Sequence, residues 1–304
     1  MTVLEAIQKS ADFLAKRGVE SPRLQTELFL AHLLKMPRMN LYLNFERALT
    51  PAETDSLREA VVRRSKHEPL QHIIGSMSFC GCEITVNRHA LVPRPETELL
   101  AEEGWKFLAT FKAQPPRALD FGTGTGCIAI ALAKKCPDAK ITCVDISAEA
   151  LKLAKENAER NDVAGCINFL QVDAMPLKFS SIGGEGRGEG AAHFFGLDSL
   201  NEVQFDLIIS NPPYIATAEI ATLQPEVRDF DPRMALDGGA DGLDFYRMLA
   251  ACAKAYLKSS GRIMLEFGDG QAEAIRQIFE NEKWIVEAVK EDYSQRARIL
   301  IAKI

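Results

Sequence analysis

The feature that most constrains this chain is a regular alternation of segment types over its second half. Short apolar runs at 118–121, 141–144, 167–172, 205–210 and 262–267 alternate with helical stretches at 127–135, 147–161 and 242–257. Strands that read as continuous apolar runs, separated by helices, imply a parallel sheet covered on both faces. Two further strand-like runs, 284–289 and 298–301, are joined by a polar turn and predict an antiparallel addition at the sheet edge. The expected class is therefore α/β, a doubly wound sheet with one antiparallel edge.

The first part of the chain reads differently. Val3, Ala6, Ile7, Phe13 and Leu14 recur at helical spacing, and Gly18 follows as a stop. Ser21 is placed to cap a second helix with Pro22 at its first position, and Leu24, Leu28 and Leu34 to form its buried stripe. Thr50-Pro51-Ala52-Glu53 is a capping box opening a third. Residues 1–74 are thus expected to form a small helical bundle. Near residue 75 the character changes. Phe79, Ile84 and Val86 around the turn-like Cys80-Gly81-Cys82 predict a β-hairpin, and residues 75–95, ending in Leu91-Val92-Pro93-Arg94-Pro95, form a linker to the α/β domain at 96–304. The glycine-rich segment from Ser181 to Gly190 cannot bury enough apolar surface to order itself and reads as a flexible insertion without chemistry of its own.

A formal net charge of −6 argues against a partner held mainly through phosphates. The basic run Arg58, Arg63, Arg64 and Lys66 reads as a solvated helix face. Seven cysteines without a Cys-x-x-Cys pair read as reduced thiols, not as a disulfide framework or zinc site, and no metal is expected. Glu5, Lys9 and Asp12 interrupt any signal-like apolar stretch, and no apolar run reaches membrane-spanning length, so a cytoplasmic protein is expected.

The chemistry begins at Asp120-Phe121-Gly122-Thr123-Gly124-Thr125-Gly126, which runs from a strand through a glycine turn into a helix. Glycines serve where backbone turns tightly and approaches a ligand closely. A dinucleotide fingerprint has glycines at its first, third and sixth positions; here they occupy the first, third and fifth, with Cys127 in the sixth. Asp145 ends the second strand, nineteen residues past Gly126, where an acid accepts hydrogen bonds from ribose hydroxyls. Asp173 and Ala174 follow the third strand.

The strand at 205–210 delivers Asn211-Pro212-Pro213-Tyr214 at its carboxyl end, the edge at which ligands sit in such sheets. Each proline fixes its own φ and disfavours helix at the residue before it, so Asn211 and Pro212 are held extended. The Asn211 side-chain carbonyl and the Pro212 backbone carbonyl can then converge on a group with two N–H bonds, such as an amide or an exocyclic amine. Holding both hydrogens orients a delocalised, weakly nucleophilic nitrogen and stabilises positive charge developing on it. The ring of Tyr214 can stack on the planar group.

The pattern Asp-x-Gly-x-Gly-x-Gly resembles motif I of class I methyltransferases, which implies S-adenosyl-L-methionine as cofactor. Asn-Pro-Pro-Tyr is shared by enzymes that methylate glutamine amides and by those that methylate base amines. Pro93 to Glu98, Asp120 to Gly126, Asn211 to Tyr214, Glu226-Val227-Arg228 through Pro232 to Asp237-Gly238-Gly239, and Asp292-Tyr293 followed by Arg298 together resemble the release factor glutamine methyltransferase family, over nearly the whole chain. The resemblance implies a Rossmann-like class I methyltransferase sheet and methylation of the glutamine in the Gly-Gly-Gln loop of class I peptide chain release factors. It implies that Gly122, Thr123, Gly124, Thr125, Gly126, Asp145, Asp173 and Ala174 line the cofactor site, with Asn211 near the methyl end. It also implies that Asn211, Pro212, Pro213 and Tyr214 hold the substrate, and that the helical domain docks the release factor body. Arg94 and Glu96 either shape the cofactor pocket or staple the linker by a salt bridge. Ala174 stands where some relatives place an aromatic, and the 181–190 insertion is longer than the family usually carries. The alternatives are a ribosomal-protein glutamine methyltransferase, an exocyclic-amine methyltransferase acting on nucleic acid, which would want a basic groove, and a cofactor-binding regulator without catalysis.

Overall fold

The computed structural model describes residues 1–172 and 203–304, so Asp173, Ala174 and the glycine-rich 181–190 stretch lie outside the described residues. The chain divides into two compact units, Met1–Met77 with Gln224–Phe230, and Ser78–Leu223 with Asp231–Ile304.

The first unit is helical: α1 (Val3–Ala15), α2 (Pro22–Leu33), α3 (Arg38–Leu41), α4 (Pro51–Arg64) and α5 (Leu70–Ile74). Capping boxes open α1 at Thr2 and Glu5 and α4 at Thr50 and Glu53, each satisfying two otherwise orphaned N–H groups. Val3, Ile7, Leu14, Leu30, Leu41 and Leu57 form its core. The second helix departs from the expected pattern. Ser21 stands at its N-cap with φ 46° and makes no capping bond. Leu24 is exposed and Leu28 only half-buried, while Thr26, Glu27, Phe29 and Leu30 face inward. The physical reason is Glu27, a buried carboxylate that accepts from Arg23 at 3.0 Å and from the Tyr42 hydroxyl at 3.0 Å. With its charge satisfied it occupies a place expected of leucine. Phe13 is also exposed, at 38%.

The basic run is not a uniformly solvated face either. Arg58 pairs with Asp55 and Arg63 with Glu68, while Arg64 is buried and reaches Glu226 at 2.8 Å. Glu226 lies in α9 (Pro225–Arg228), a single turn from late in the chain that packs with this unit. His67 Nδ1 is 3.1 Å from the same carboxylate.

At the junction of the two units in sequence, β1 (Ser76–Phe79) and β2 (Cys82–Thr85) form the hairpin. Its turn residues Cys80 and Gly81 have φ of 50° and 81°, the pairing that lets a two-residue loop match strand twist. Then follow α6 (Pro95–Leu108), β3 (Arg117–Phe121), α7 (Cys127–Lys135), β4 (Lys140–Asp145), α8 (Ala148–Arg160), β5 (Ile167–Gln171), β6 (Phe205–Ser210), α10 (Asp244–Cys252), β7 (Leu257–Glu266), α11 (Ala272–Asn281), β8 (Ile285–Glu291) and β9 (Ala297–Lys303). Among the described residues the main sheet has seven strands in the order β5-β4-β3-β6-β7-β9-β8. The first five pair in parallel; β9 runs antiparallel to both β7 and β8.

Two helices, α6 and α11, were not among the expected elements. The inward face of α6 carries Leu100, Phe107 and Leu108 together with Thr97, Ala101 and Gly104, so a threonine and a glycine interrupt its apolar stripe. In α11 only Ile275 and Phe279 are buried. Among the described residues no helix is long and apolar enough to cross a membrane.

Gly104 sets how closely α6 lies on the sheet. A Cβ there would stand 2.9 Å from Ile209 Cδ1 and 3.0 Å from Leu132 Cδ2. Gly104→Val is therefore expected to lower unfolding free energy by roughly 2 kcal/mol through overpacking. An unchanged urea midpoint would show that the helix can move away at no cost.

Candidate active site

The strand order reverses between β3 and β6, which places a crevice outside their carboxyl ends. The glycine loop leaves β3 there. Gly122, Gly124 and Gly126 have φ of 70°, 56° and 79°, values that strain any residue with a Cβ. Gly122 and Thr123 donate to the Val144 carbonyl at 2.9 and 3.0 Å, which pins the loop to the end of β4. Asp145 closes the same corner, with Oδ2 accepting from Gly124 N–H and Oδ1 from Ser147 N–H, both at 2.9 Å. Burial raises the Asp145 pKa, and the N–H groups of Ser147, Gly124 and Ile146 oppose it. Beneath the loop, Asn157 of α8 donates to the Thr125 carbonyl at 3.0 Å. A Cβ on Gly126 would meet that of Ala154 at 3.0 Å, so this last glycine brings α8 close to the loop.

The Asn-Pro-Pro-Tyr segment leaves the adjacent strand. Asn211 Nδ2 donates to the Thr97 hydroxyl at 3.1 Å. Among the described residues neither Asn211 Oδ1 nor the Pro212 carbonyl accepts a hydrogen bond. Behind the segment, Gln271 Nε2 donates to the Tyr214 carbonyl at 2.9 Å and its Oε1 accepts from Gly268 N–H at 3.0 Å. Gly238 N–H donates to the Ile215 carbonyl at 2.8 Å, and Gly238 admits Pro213 so closely that a Cβ would lie 2.7 Å from its carbonyl oxygen. The Tyr214 ring rests against Gly268, where a Cβ would fall 2.9 Å from Cδ2. Burial raises the Tyr214 pKa, with Glu266 adding to it and Arg94 and Arg298 opposing.

Arg94 forms the staple: its Nη2 donates to the buried Asp231 Oδ2 at 2.7 Å, and Val92 N–H donates to Oδ1 at 3.3 Å. Asp292 and Arg298 pair at 3.1 Å, and Phe267 N–H donates to the Arg298 carbonyl at 2.9 Å, which braces the end of β7. Among the described residues no group of His, Cys, Asp or Glu is placed to hold a metal ion. A cavity of about 200 Å³ belongs to the helical unit, lined by Phe29, Leu57 and Ile73 among others, and includes no residue of this site.

Two family models match the chain: the PrmC N-terminal domain over residues 5–75 and the methyltransferase small domain over 103–182. A release factor glutamine methyltransferase of Geobacter sulfurreducens is 41% identical over 91% of this chain and 88% of its own length. One from Chlorobaculum tepidum is 39% identical over 90% of this chain and 87% of its own. The chain belongs to the release factor glutamine methyltransferase family. Among solved structures, the hMettl16 catalytic domain in complex with MAT2A 3'UTR hairpin 1 superposes with a TM-score of 0.53 at 15% identity, covering 84% of this chain and 80% of that one, a likeness of fold.

For a member of this family the residues missed in the sequence are informative. Thr97, Glu266 and Gln271 all stand at the Asn-Pro-Pro-Tyr segment, and no motif in the sequence marks their part in it. Thr97 lies inside the motif that carried the family resemblance, and Glu266 is an acid ending an otherwise apolar strand run, Ile263-Met264-Leu265. That charge in a buried strand was the available signal.

Asp120 gives a testable pH effect. It is fully buried, and the Thr123 hydroxyl donates to its Oδ2 at 2.6 Å. Burial pushes its pKa from 3.8 up to about 7, with Asp145 adding to the rise and Thr123 and Ala129 opposing it. Between those two values the folded state binds a proton that the unfolded chain releases, so stability falls as pH rises through this window. Asp120→Asn removes this term. Relative to wild type, the variant should gain on the order of 2 kcal/mol between pH 5 and pH 7.5. Parallel urea curves with a constant difference at both pH values would refute it.

Proposed function

We propose that this chain transfers a methyl group from S-adenosyl-L-methionine to the side-chain amide nitrogen of the glutamine in the Gly-Gly-Gln motif of class I peptide chain release factors. The observation that carries this reading is the pair of uncommitted acceptors, Asn211 Oδ1 and the Pro212 carbonyl, at the strand end beside the glycine loop. The family supplies the substrate class. The cofactor supplies an activated methyl on a sulfonium centre.

The residues at the loop fit such a cofactor. A Cβ on Gly122 would meet nothing within 4 Å, which leaves open space over that backbone. Asp145 uses its two oxygens for one backbone N–H each, and a carboxylate has capacity for further donors such as ribose hydroxyls. Gly122, Thr123, Gly124, Thr125, Gly126 and Asp145 are the residues proposed to hold it, with Asp173 and Ala174 toward the adenine. Asn211 and Pro212 accept the two amide hydrogens, which orients the nitrogen and stabilises the charge that develops on it. Pro213 keeps the segment extended and Tyr214 packs on the planar amide. Residues 1–74 are proposed to dock the release factor body, residues 75–95 to link, and 96–304 to carry the transfer. A cytoplasmic location matches that substrate.

Mass spectrometry of a bacterial release factor incubated with this protein and S-adenosyl-L-methionine should find one added methyl on the Gly-Gly-Gln glutamine. An unmodified release factor, with the methyl donor bound by calorimetry, would overturn the substrate and redirect attention to ribosomal proteins and nucleic acids. Two variants separate the roles. Asn211→Ala should lower kcat about 100-fold or more while donor affinity stays within about threefold. Asp145→Ala should weaken donor binding about tenfold; unchanged affinity would refute the assignment to the ribose.

A further inference from the structure

The prolines of the Asn-Pro-Pro-Tyr segment fix backbone, but they do not fix the side-chain amide of Asn211. That amide can turn over by 180°, exchanging an acceptor for two donors. A substrate that offers two N–H groups needs the oxygen, so something else must select the orientation.

Glu266 is placed for that task. The β6–β7 register sets Ser210 opposite Leu265, so the next residues, Asn211 and Glu266, leave their strands side by side. The Glu266 side chain is buried at 2% exposure, and its Oε2 makes no hydrogen bond among the described residues. The Thr97 hydroxyl and the Asn211 amide both pull its pKa down against the effect of burial. Thr97 in turn accepts from Asn211 Nδ2 at 3.1 Å. The backbone around Glu266 is held by two hydrogen bonds: the Tyr246 hydroxyl donates to its carbonyl at 2.8 Å, and the Arg298 backbone carbonyl accepts from the next residue.

We propose that Glu266 is a positioning residue: its carboxylate, together with Thr97, holds the Asn211 amide with Nδ2 inward, which leaves Oδ1 for the substrate. A flipped amide would set Oδ1 against a carboxylate, oxygen facing oxygen, with Nδ2 presented to a group that offers only donors. A buried acid with one oxygen unmatched is costly, and its retention needs a reason. This inference rests on the glutamine-amide reading above.

The groups facing Glu266 come from four elements. They are Glu96 and Thr97 of α6, Asn211 and Tyr214 after β6, Tyr246 of α10, and Arg298 of β9. Burial pushes the Glu266 carboxyl up to about 7, opposed by Thr97, Arg298 and Asn211 and reinforced by Glu96. When protonated it can donate to an amide oxygen and so tolerates the flipped form. Turnover should therefore rise with pH through a limb near 7 as Glu266 ionises.

The test uses Glu266→Met, which removes both oxygens at similar length, and Glu266→Gln, whose carbonyl can still accept from Nδ2. Kcat should fall about tenfold in Glu266→Met, with donor affinity within about threefold of wild type. Glu266→Gln should recover most of the loss and lack the limb near pH 7. Wild-type turnover in Glu266→Met, or equal loss of donor binding in both variants, would overturn the proposal. A second readout needs no substrate. In protein labelled with ¹⁵N-asparagine, the Asn211 side-chain NH₂ signal, assigned by its absence in Asn211→Ala, should titrate near pH 7 in wild type and stay flat in Glu266→Gln. A signal indifferent to Glu266 would overturn the proposal even if the chain methylates a release factor. A titrating signal in a chain that does not would leave the positioning intact and remove the substrate instead.

Discussion

The carboxyl end of β6 is clamped from both sides, and the geometry of the cleft depends on that clamp. All six residues of the strand are buried. On one side the Ser210 hydroxyl donates to the Phe121 carbonyl at 2.6 Å, tying the end of β6 to the start of the glycine loop. On the other, the parallel ladder to β7 runs through Ser210 and Leu265. Near its start, Asp206 Oδ2 takes the Arg117 N–H and the Lys258 ammonium, each at 2.8 Å, which fixes the strand against sliding. A site built on such a strand keeps its acceptors in place without the substrate's help, where a loop would have to be ordered first.

Much of this was legible in advance because the physics is local in sequence. The glycine loop needs residues free to take positive φ, and Gly122, Gly124 and Gly126 advertise that directly. The Thr50–Glu53 box needs a hydroxyl and a carboxylate three residues apart, and both bonds form. Parallel strands buried on both faces are long apolar runs, and those at β3, β4 and β6 stand where periodicity placed them. The failures have a common cause. The second helix departs from its apolar periodicity because Glu27 faces inward, supported by Arg23 and by Tyr42, a residue fifteen positions away. The helix α6 packs closely on the sheet through Gly104, so a glycine and a threonine interrupt the stripe of Leu100, Phe107 and Leu108. The turn Pro225–Arg228 joins the helical unit through Arg64 and Glu226, an ion pair across 162 positions that no window can see.

The same division runs through the active-site candidates. Residues that act through backbone conformation were found as motifs, since a proline or glycine states its constraint in its own identity. Residues that act through a side-chain partner were not. Thr97, Asn211 and Glu266 come from the first turn of a helix, the residue after one strand and the end of the next; the sheet register sets Asn211 beside Glu266, and the packing of α6 brings Thr97 to Asn211.

That distribution follows from the chemistry attributed to the cleft. An amide nitrogen is a poor nucleophile whose two hydrogens must be held by acceptors in fixed places. One proposed acceptor, the Pro212 carbonyl, belongs to the backbone and is set by two consecutive prolines. The other belongs to a side chain with a rotatable amide, a freedom that no residue in the motif removes. Its restraint has to come from outside the motif, in a group that accepts but does not donate. A carboxylate meets that description and a neutral amide meets it only in one of its two orientations. On the proposed chemistry, the acid at the end of an apolar strand, conspicuous as a defect in the core pattern, is the complement of the motif beside it.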